Sequence, residues 1–209
     1  MSGPAVSGPP DLFGFDRFWW DQGRIHVAGV DEVGRGCLAG PVVACAVVIP
    51  PHERIPGVMD SKALSPSERL RLHRIIMEKA WAVALAEVPA EEIDRVNIRR
   101  ASLEAMRQAI EGLAVMPDLV LVDGNAPVDH PAPQLTVVGG DGRSQCIAAA
   151  SIVAKVHRDR IMEGYDRRYP GYDFARHKGY PTRTHRDAIR RLGVLPIHRR
   201  TFRGVSDVC

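Results

Sequence analysis

Two adjacent carboxylates, Asp31 and Glu32, stand where an apolar run gives way to a glycine-flanked arginine. A nearly all-apolar, β-branched run follows at residues 41–49, which predicts two buried strands joined by an acidic turn. Adjacent strand residues face opposite sides of a sheet, so we expect the first strand to end between the two acids. Carboxylates at the rim of a hydrophobic sheet are costly to desolvate unless a cation neutralises them. These residues therefore indicate a divalent-metal site.

Two further aspartates repeat this arrangement. Asp123 follows the apolar run 119–122, and Asp141 stands in a glycine-rich turn after the run 135–138. Ligands of open α/β sheets bind beyond the strand ends, so acids at three such ends indicate one shared site. A simple turn role is the alternative for Asp123 taken alone, because Asp before Gly is common in hairpins.

Two other motif interpretations compete with this one. Residues 34–39 match the loose dinucleotide-binding pattern G-x-G-x-x-[GA]. That motif requires a helix next, whereas Pro41 and a β-branched run follow, and the preceding acids would repel phosphate. A zinc site is excluded because no His and Cys residues have its spacing. The all-oxygen set of acids favours Mg²⁺ or Mn²⁺.

The hydrophobic periodicity predicts the elements that position these acids. Strands are predicted at residues 26–30, 41–49, 81–88, 119–122 and 135–138. Helices are predicted from the capping box at 65–68 to residue 80, and at about 97–113, 144–165 and 182–192. The order β-β-α-β-α-β-β-α-α predicts an α/β fold with a mixed central sheet flanked by helices and a helical C-terminal part.

Charge is distributed unevenly along the 209 residues. Residues 155–209 hold 14 of the 28 Lys and Arg residues but only 6 of the 25 Asp and Glu residues. An acidic first part of the chain and a basic C-terminal part suit a polyanionic ligand that binds at a metal-binding centre. A solvated basic surface explains the charge alone equally well.

Composition and termini suggest the compartment and the domain organisation. The four cysteines lack C-x-x-C spacing, so we expect free thiols in a reducing cytoplasm. No signal peptide and no membrane-spanning run is visible, which predicts a soluble cytoplasmic protein. The first ten residues are rich in Gly, Pro and Ser. We expect a disordered tail over residues 1–20 and one catalytic domain over residues 21–209.

Six segments together resemble the ribonuclease HII family. They are residues 29–36 (GVDEVGRG), 60–62 (DSK), 122–124 (VDG), 140–141 (GD), 149–159 (AASIVAKVHRD) and 177–182 (HKGYPT). The resemblance implies the RNase H-like fold and endonucleolytic cleavage of the RNA strand of RNA–DNA hybrids. It also implies cleavage 5′ of single ribonucleotides embedded in duplex DNA, giving 5′-phosphate and 3′-hydroxyl ends.

By position, Asp31, Glu32, Asp123 and Asp141 match the family's four catalytic carboxylates. The resemblance implies that they hold two divalent ions, Mg²⁺ or Mn²⁺, for in-line attack of water on a phosphodiester. Asp159 is a rival for the fourth acid. Its flanking arginines and its position within a helix favour a structural ion pair.

The resemblance also implies a substrate-binding surface. Gly34, Arg35 and Gly36 match the loop that senses the ribonucleotide, because glycines allow close approach and the 2′-OH distinguishes RNA from DNA. Tyr180 matches the aromatic residue that packs on the sugar at the RNA–DNA junction, with a buried core tyrosine as the alternative. The resemblance implies phosphate contacts by four cations, Lys62, Lys155, Arg176 and Lys178, and the alternative for each is a solvated surface cation. It places Ser61 and His185 on the same surface.

The expected partners are an RNA–DNA hybrid and ribonucleotide-containing duplex DNA, bound by a monomer without any membrane. Tyr180 and the lack of a larger N-terminal domain favour this family over the sister enzyme ribonuclease HIII. Two other classes stay open. One is a non-catalytic hybrid-binding protein that uses the basic C-terminal third. The other is a DNA nuclease or resolvase of the same superfamily.

Overall fold

One mixed five-stranded sheet organises the chain, for which the computed structural model describes residues 11–207. The strands are β1 (Val27–Val33), β2 (Val42–Val48), β3 (Ala82–Val88), β4 (Leu119–Asp123) and β5 (Gln134–Val137). The helices are α1 (Leu12–Trp20), α2 (Pro66–Lys79), α3 (Ala90–Val96), α4 (Ile98–Glu111), α5 (Gln145–Arg168), α6 (Phe174–His177) and α7 (Arg183–Leu192), with a 3₁₀ turn at Gly140–Gly142.

The strand order is β3-β2-β1-β4-β5. β1 is antiparallel to β2 and parallel to β4, and β4 is parallel to β5. The carboxyl ends of β1, β4 and β5 therefore meet at one edge of the sheet. The prediction of an α/β fold with a mixed sheet and flanking helices is confirmed.

Helices cover both faces of the sheet. Alternate residues of β2 divide between two hydrophobic clusters: Val43, Cys45 and Val47 pack with α1, α2 and α5, whereas Val42 and Ala44 pack with α3 and α4. A strand that is buried on both faces reads as a continuous apolar run. That is why β2 could be read from the sequence.

Helix α5 lies very close to β1. A Cβ added at Gly29 would come within 2.2 Å of the Cys146 carbonyl carbon in the first turn of α5. Only glycine at this position lets the helix backbone pack directly on the strand. Ala148, Ala149 and Ala150 in the first turns of α5 are also fully buried. Small residues therefore allow the short distance between α5 and the sheet.

The expectation of a disordered tail over residues 1–20 is wrong for its second half. Helix α1 buries Phe15, Trp19 and Trp20, each at most 4% exposed. The Asp16 Oδ2 accepts a hydrogen bond from the Cys146 N–H at 2.7 Å, and burial raises the pKa of Asp16 to about 6. The apolar side chains recur at helical spacing, and this pattern outweighs the composition of the residues before them. Residues 1–10 lie outside the described part.

Other boundaries also differ from prediction. The helix expected at 97–113 begins at Ile98, because Asn97 adopts a φ of +73° and accepts a hydrogen bond from the Arg100 N–H at 3.1 Å. The residues before it form the separate helix α3, which was not predicted, and neither was α6. The capping box at Ser65 is confirmed, and the last helix is capped by Thr182, whose side chain accepts a hydrogen bond from the His185 N–H.

Two expectations on composition can be compared with the described residues. Cys37, Cys45 and Cys146 are buried free thiols, as predicted, while Cys209 lies outside the described range. None of the helices between residues 11 and 207 is both long and apolar enough to cross a membrane.

Candidate active site

Asp31 and Glu32 are consecutive residues of β1 and face opposite sides of the sheet. The strand continues to Val33, so the expected break between the two acids is wrong. The Asp31 Oδ1 accepts a hydrogen bond from the Glu32 N–H at 2.7 Å. Ser151 on α5 lies near the Asp31 carboxylate and partly offsets the rise in its pKa. The two carboxylates are nevertheless close enough for the charge of Glu32 to raise the pKa of Asp31.

Asp123 and Asp141 join this edge from β4 and from the 3₁₀ turn after β5. The Asp123 Oδ1 accepts a hydrogen bond from the Gly140 N–H at 2.6 Å. The Asp123 carboxylate is close enough to Asp31 for its negative charge to raise the pKa of Asp31. The parallel pairing of β1 with β4 thus brings together acids that are about ninety residues apart in the chain.

Burial and like charge act together on this cluster. Burial raises the pKa of Asp31 well above its usual range, and the Glu32 and Asp123 carboxylates raise it further. Burial also raises the pKa of Glu32, against the effect of Arg35, and the pKa of Asp123, where Asp141 adds to the shift. Such a cluster binds cations favourably because each carboxylate destabilises the charge of its neighbours.

The donor chemistry of the cluster fits a hard divalent ion, since every side chain offers carboxylate oxygen. Within residues 11–207, no three His, Cys, Asp or Glu side chains already converge as a preformed ligand set. The outer acids instead contact side-chain cations: Arg35 Nη1 lies 3.2 Å from Glu32, and Lys62 Nζ lies 3.5 Å from Asp141.

The loop Gly34–Gly36 lies directly beside the acids. Gly34 has a φ of +95°, and a Cβ there would come within 2.2 Å of the Arg158 Nε, so packing requires glycine. A Cβ at Gly36 would meet no atom within 4 Å. Packing within the protein therefore does not explain Gly36, whose open backbone leaves room for a ligand to approach closely.

Two fully buried arginines, Arg158 and Arg199, hold the chain around this loop in place, a role that the sequence did not predict for either of them. Arg158 donates to the carbonyl oxygens of Ala39, Pro41 and Lys178 at 2.8–3.0 Å. Arg199 donates to the carbonyl oxygens of Arg35 and Gly40 at 2.8–3.1 Å. Burial lowers the pKa of Arg199 to about 10.

The only sequence signal for this pair was an arginine at an inward-facing position of a helix. Arg158 falls on the buried side of α5, where a charged residue needs partners. Arg199 carries no such signal, because it lies outside the helices and strands. Its role depends on carbonyl groups that only the tertiary structure brings within reach.

The candidates for substrate contact divide into residues with exposed side chains and residues whose side chains are already paired within the protein. Tyr180 is 40% exposed, so the alternative of a buried core tyrosine is wrong. Arg176 is exposed on α6, and the Lys62 side chain is 78% exposed beside Asp141. By contrast, Lys178 Nζ pairs with Glu163 at 2.6 Å, and its side chain is largely buried.

Lys155 and Asp159 belong to one ion-pair network. Lys155 Nζ lies 2.6 Å from the Asp159 carboxylate, which also lies 3.7 Å from Arg69 Nη1. The ion pair predicted for Asp159 is confirmed, but its partners are Lys155 and Arg69 and not the flanking arginines. Lys155 neutralises an acid of its own helix, so a phosphate would have to compete with Asp159 for it.

Ser61 and His185 are buried, contrary to the expectation that they lie on the substrate surface. The Ser61 Oγ lies 2.9 Å from the Ser151 Oγ, and Ser151 lies near Asp31 and lowers the pKa of its carboxyl group. Ser61 therefore supports the acid cluster from behind, because a buried hydroxyl needs a partner.

His185 belongs to a buried trio with His177 and His198, and hydrogen bonding assigns each ring one neutral tautomer. The His198 Nδ1 accepts from the Leu195 N–H, so its Nε2–H donates to the His185 Nε2 at 3.1 Å. The His185 Nδ1–H then donates to the Tyr180 carbonyl at 3.0 Å. Burial lowers the pKa of both His185 and His198 to about 4. The trio supports the Tyr180 backbone from inside the protein.

The family model for ribonuclease HII matches residues 28–205. The chain belongs to the ribonuclease HII family. A ribonuclease HII of Geotalea uraniireducens is 50% identical over 198 residues, covering 95% of this chain and 92% of that protein. As a member of this family the chain is an endoribonuclease with RNase H activity on RNA–DNA hybrids, and the family depends on divalent metal ions.

Solved structures support the same fold. The ribonuclease H2 of Pyrococcus horikoshii is similar with a TM-score of 0.76 and 28% identity, over 87% of this chain and 96% of that one. Bst-RNase HIII, crystallised in complex with Mn²⁺, has a TM-score of 0.65 and 18% identity over 100% of this chain and 75% of that chain. This second likeness shows the shared RNase H-like fold alone.

Proposed function

We propose that this ribonuclease HII cuts duplex DNA on the 5′ side of single embedded ribonucleotides as well as longer hybrids, with two divalent ions, Mg²⁺ or Mn²⁺, held by the four acids. The observation that carries the proposal is the edge cluster of Asp31, Glu32, Asp123 and Asp141, which are buried or partly buried and whose like charges call for cations. When bound, the ions supply activation of the attacking water and stabilisation of the leaving 3′-oxygen.

The loop and Tyr180 read the sugar in this proposal. The open backbone at Gly36 lies beside the acids and can approach a 2′-hydroxyl, the group that distinguishes RNA from DNA. Tyr180 offers an exposed ring on a segment joined to the loop, since the Leu38 N–H donates to the Gly179 carbonyl at 2.8 Å. Lys62 lies beside Asp141 and is available to a phosphate oxygen.

The deciding experiment compares three labelled duplexes: all DNA, DNA with one ribonucleotide, and a full RNA–DNA hybrid, each with Mg²⁺, Mn²⁺ or EDTA. We expect a single cut 5′ of the lone ribonucleotide, a 3′-hydroxyl on the upstream product, and no cut in all-DNA duplex or in EDTA. Cleavage of the hybrid without cleavage at the lone ribonucleotide would refute the junction specificity. Cleavage of all-DNA duplex would instead favour a DNA nuclease.

The same assay distinguishes an endonuclease from a protein that binds hybrids without cleaving them. A protein that only binds hybrids would retard the labelled duplex in EDTA and leave it intact with either metal. Asp31→Asn provides the matched control, because it removes one carboxylate charge and keeps the size of the side chain. Its binding in EDTA should be near normal while its cleavage is lost.

A further inference from the structure

A basic groove of about 670 Å³ begins next to the candidate active site and extends away from the acids. The end of the groove nearest the acids is lined by Gly36 of the Gly34–Gly36 loop and by Pro181, which follows Tyr180. Arg186 and Arg190 of α7 and Arg203 of the C-terminal segment line it further along, together with one acid, Asp207, so that arginines outnumber acids three to one. The groove is therefore continuous with the surface that faces the reacting sugar in the proposed function.

The arginines of the groove form a like-charged set. Arg186 and Arg190 are separated by one helical turn, a spacing at which like charges destabilise each other. Arg190 is paired with Asp187, at 2.9 Å. Neither Arg186 nor Arg203 makes a side-chain hydrogen bond or ion pair with any residue between 11 and 207, and both are exposed. Two such guanidinium groups are available to an anionic ligand.

Part of the groove lining is apolar. Leu38 and Phe202 line it together with the arginines. Cations beside apolar side chains match a sugar–phosphate strand, whose phosphates are anionic and whose sugar edges are apolar. Guanidinium groups bind phosphate oxygens strongly because their parallel N–H groups match the spacing of two oxygens.

We propose that this groove binds the phosphate backbone of the duplex arm next to the reacting ribonucleotide, through Arg186 and Arg203. The proposal rests on the proposed function, because it extends the same substrate beyond the site. Contacts to phosphates position a duplex without reading its sequence. The groove therefore contributes affinity and register, and discrimination of the ribonucleotide stays with the loop and Tyr180.

The test measures binding of a labelled duplex by fluorescence anisotropy in EDTA, over a range of salt concentrations. In the double variant R186Q/R203Q, we expect a Kd raised roughly tenfold near physiological salt and a slope of log K against log [salt] reduced by about two. The loss should be the same for all-DNA duplex and for duplex with one ribonucleotide. In cleavage assays KM should rise and kcat should stay near that of the wild type.

Arg74→Gln is the matched control. Arg74 is an exposed arginine on α2 that does not line the groove, so its removal should alter neither Kd nor slope. Shortening one duplex arm should abolish the difference between R186Q/R203Q and the wild type, whereas shortening the other arm should preserve it.

Three results would overturn the groove assignment: an unchanged salt slope in R186Q/R203Q, a loss confined to the ribonucleotide-containing duplex, or equally tight binding of polyglutamate. The last result would indicate an acidic protein partner. A wild-type enzyme that cuts no ribonucleotide-containing duplex would be a different failure, that of the proposed function.

Discussion

The acid cluster and the two buried arginines, Arg158 and Arg199, both adjoin the Gly34–Gly36 loop. They differ in whether their charges are compensated by other groups of the protein. At the sheet edge, Asp31 is 5% exposed among other carboxylates, and burial and repulsion both raise its pKa. Behind the loop, Arg158 and Arg199 are fully buried, yet each makes three hydrogen bonds to backbone carbonyls.

This difference in charge compensation indicates a structural role for the arginines and a cation-binding role for the acids. Polar groups that maintain a shape are satisfied within the protein, because an unpaired buried group costs about 1–3 kcal/mol. The histidine trio follows the same rule, with one neutral tautomer for each ring. The acids are left with excess negative charge, which is suited to cations from outside. Substitutions in the two regions should therefore have opposite consequences for activity and stability.

The largest effect is expected at the acids. Asp123→Asn should lower kcat on a single-ribonucleotide duplex by at least ~10³-fold, because a proposed metal ligand and its charge are lost. The free energy of unfolding should stay equal or rise, since the substitution removes a partly buried charge that neighbouring carboxylates repel. Single-turnover cleavage and urea denaturation measure the two quantities, with the exposed acid variant Asp129→Asn as a control that changes neither. Near-normal cleavage by Asp123→Asn would remove this acid from the site.

The opposite pattern is expected at a buried arginine. Arg199→Ala should lower the free energy of unfolding by about 3 kcal/mol or more, because it leaves buried carbonyl groups without donors. Its neighbour Arg200 has an exposed side chain, so Arg200→Ala should cost less than about 0.5 kcal/mol. Urea denaturation of the pair provides the measurement. Equal stabilities would show that the loop does not depend on the buried guanidinium.

Acid should destabilise the histidine trio. The folded-state pKa of His185 is lowered to about 4, so the unfolded chain binds more protons between pH 4 and 6.5 and stability falls as the pH falls through that window. The loss is about 3 kcal/mol for one such histidine. Denaturation of His185→Asn across this range should show a smaller pH slope than the wild type. The exposed control His52→Asn should keep the wild-type slope, and equal slopes in all three proteins would contradict the assignment.

The smallest effect is expected at Tyr180. Tyr180→Ala should lower kcat/KM about tenfold on a duplex with one ribonucleotide and less on a long hybrid, because one aromatic contact with the sugar is lost. Its 40% exposure predicts little change in stability. Tyr180→Phe keeps the ring and should keep activity. An equal loss on both substrates would argue against a junction role.

The sequence by itself determined the sheet, most helices and the position of the acids. Strands buried on both faces leave uninterrupted apolar runs, and Asp123 is readable because its run ends there. The basic C-terminal third was also visible as composition. These features are local, since they depend on the residue types within one element and its ends.

Only the tertiary structure decided which polar residues face inward. Lys178, Ser61 and His185 carry no local sign of the partners that engage them, and those partners lie up to 90 residues away along the chain. Arg199 likewise depends on carbonyl oxygens of a loop more than 150 residues earlier. Burial of a polar side chain depends on partners that folding brings from elsewhere in the chain, so residue type and spacing could not reveal it.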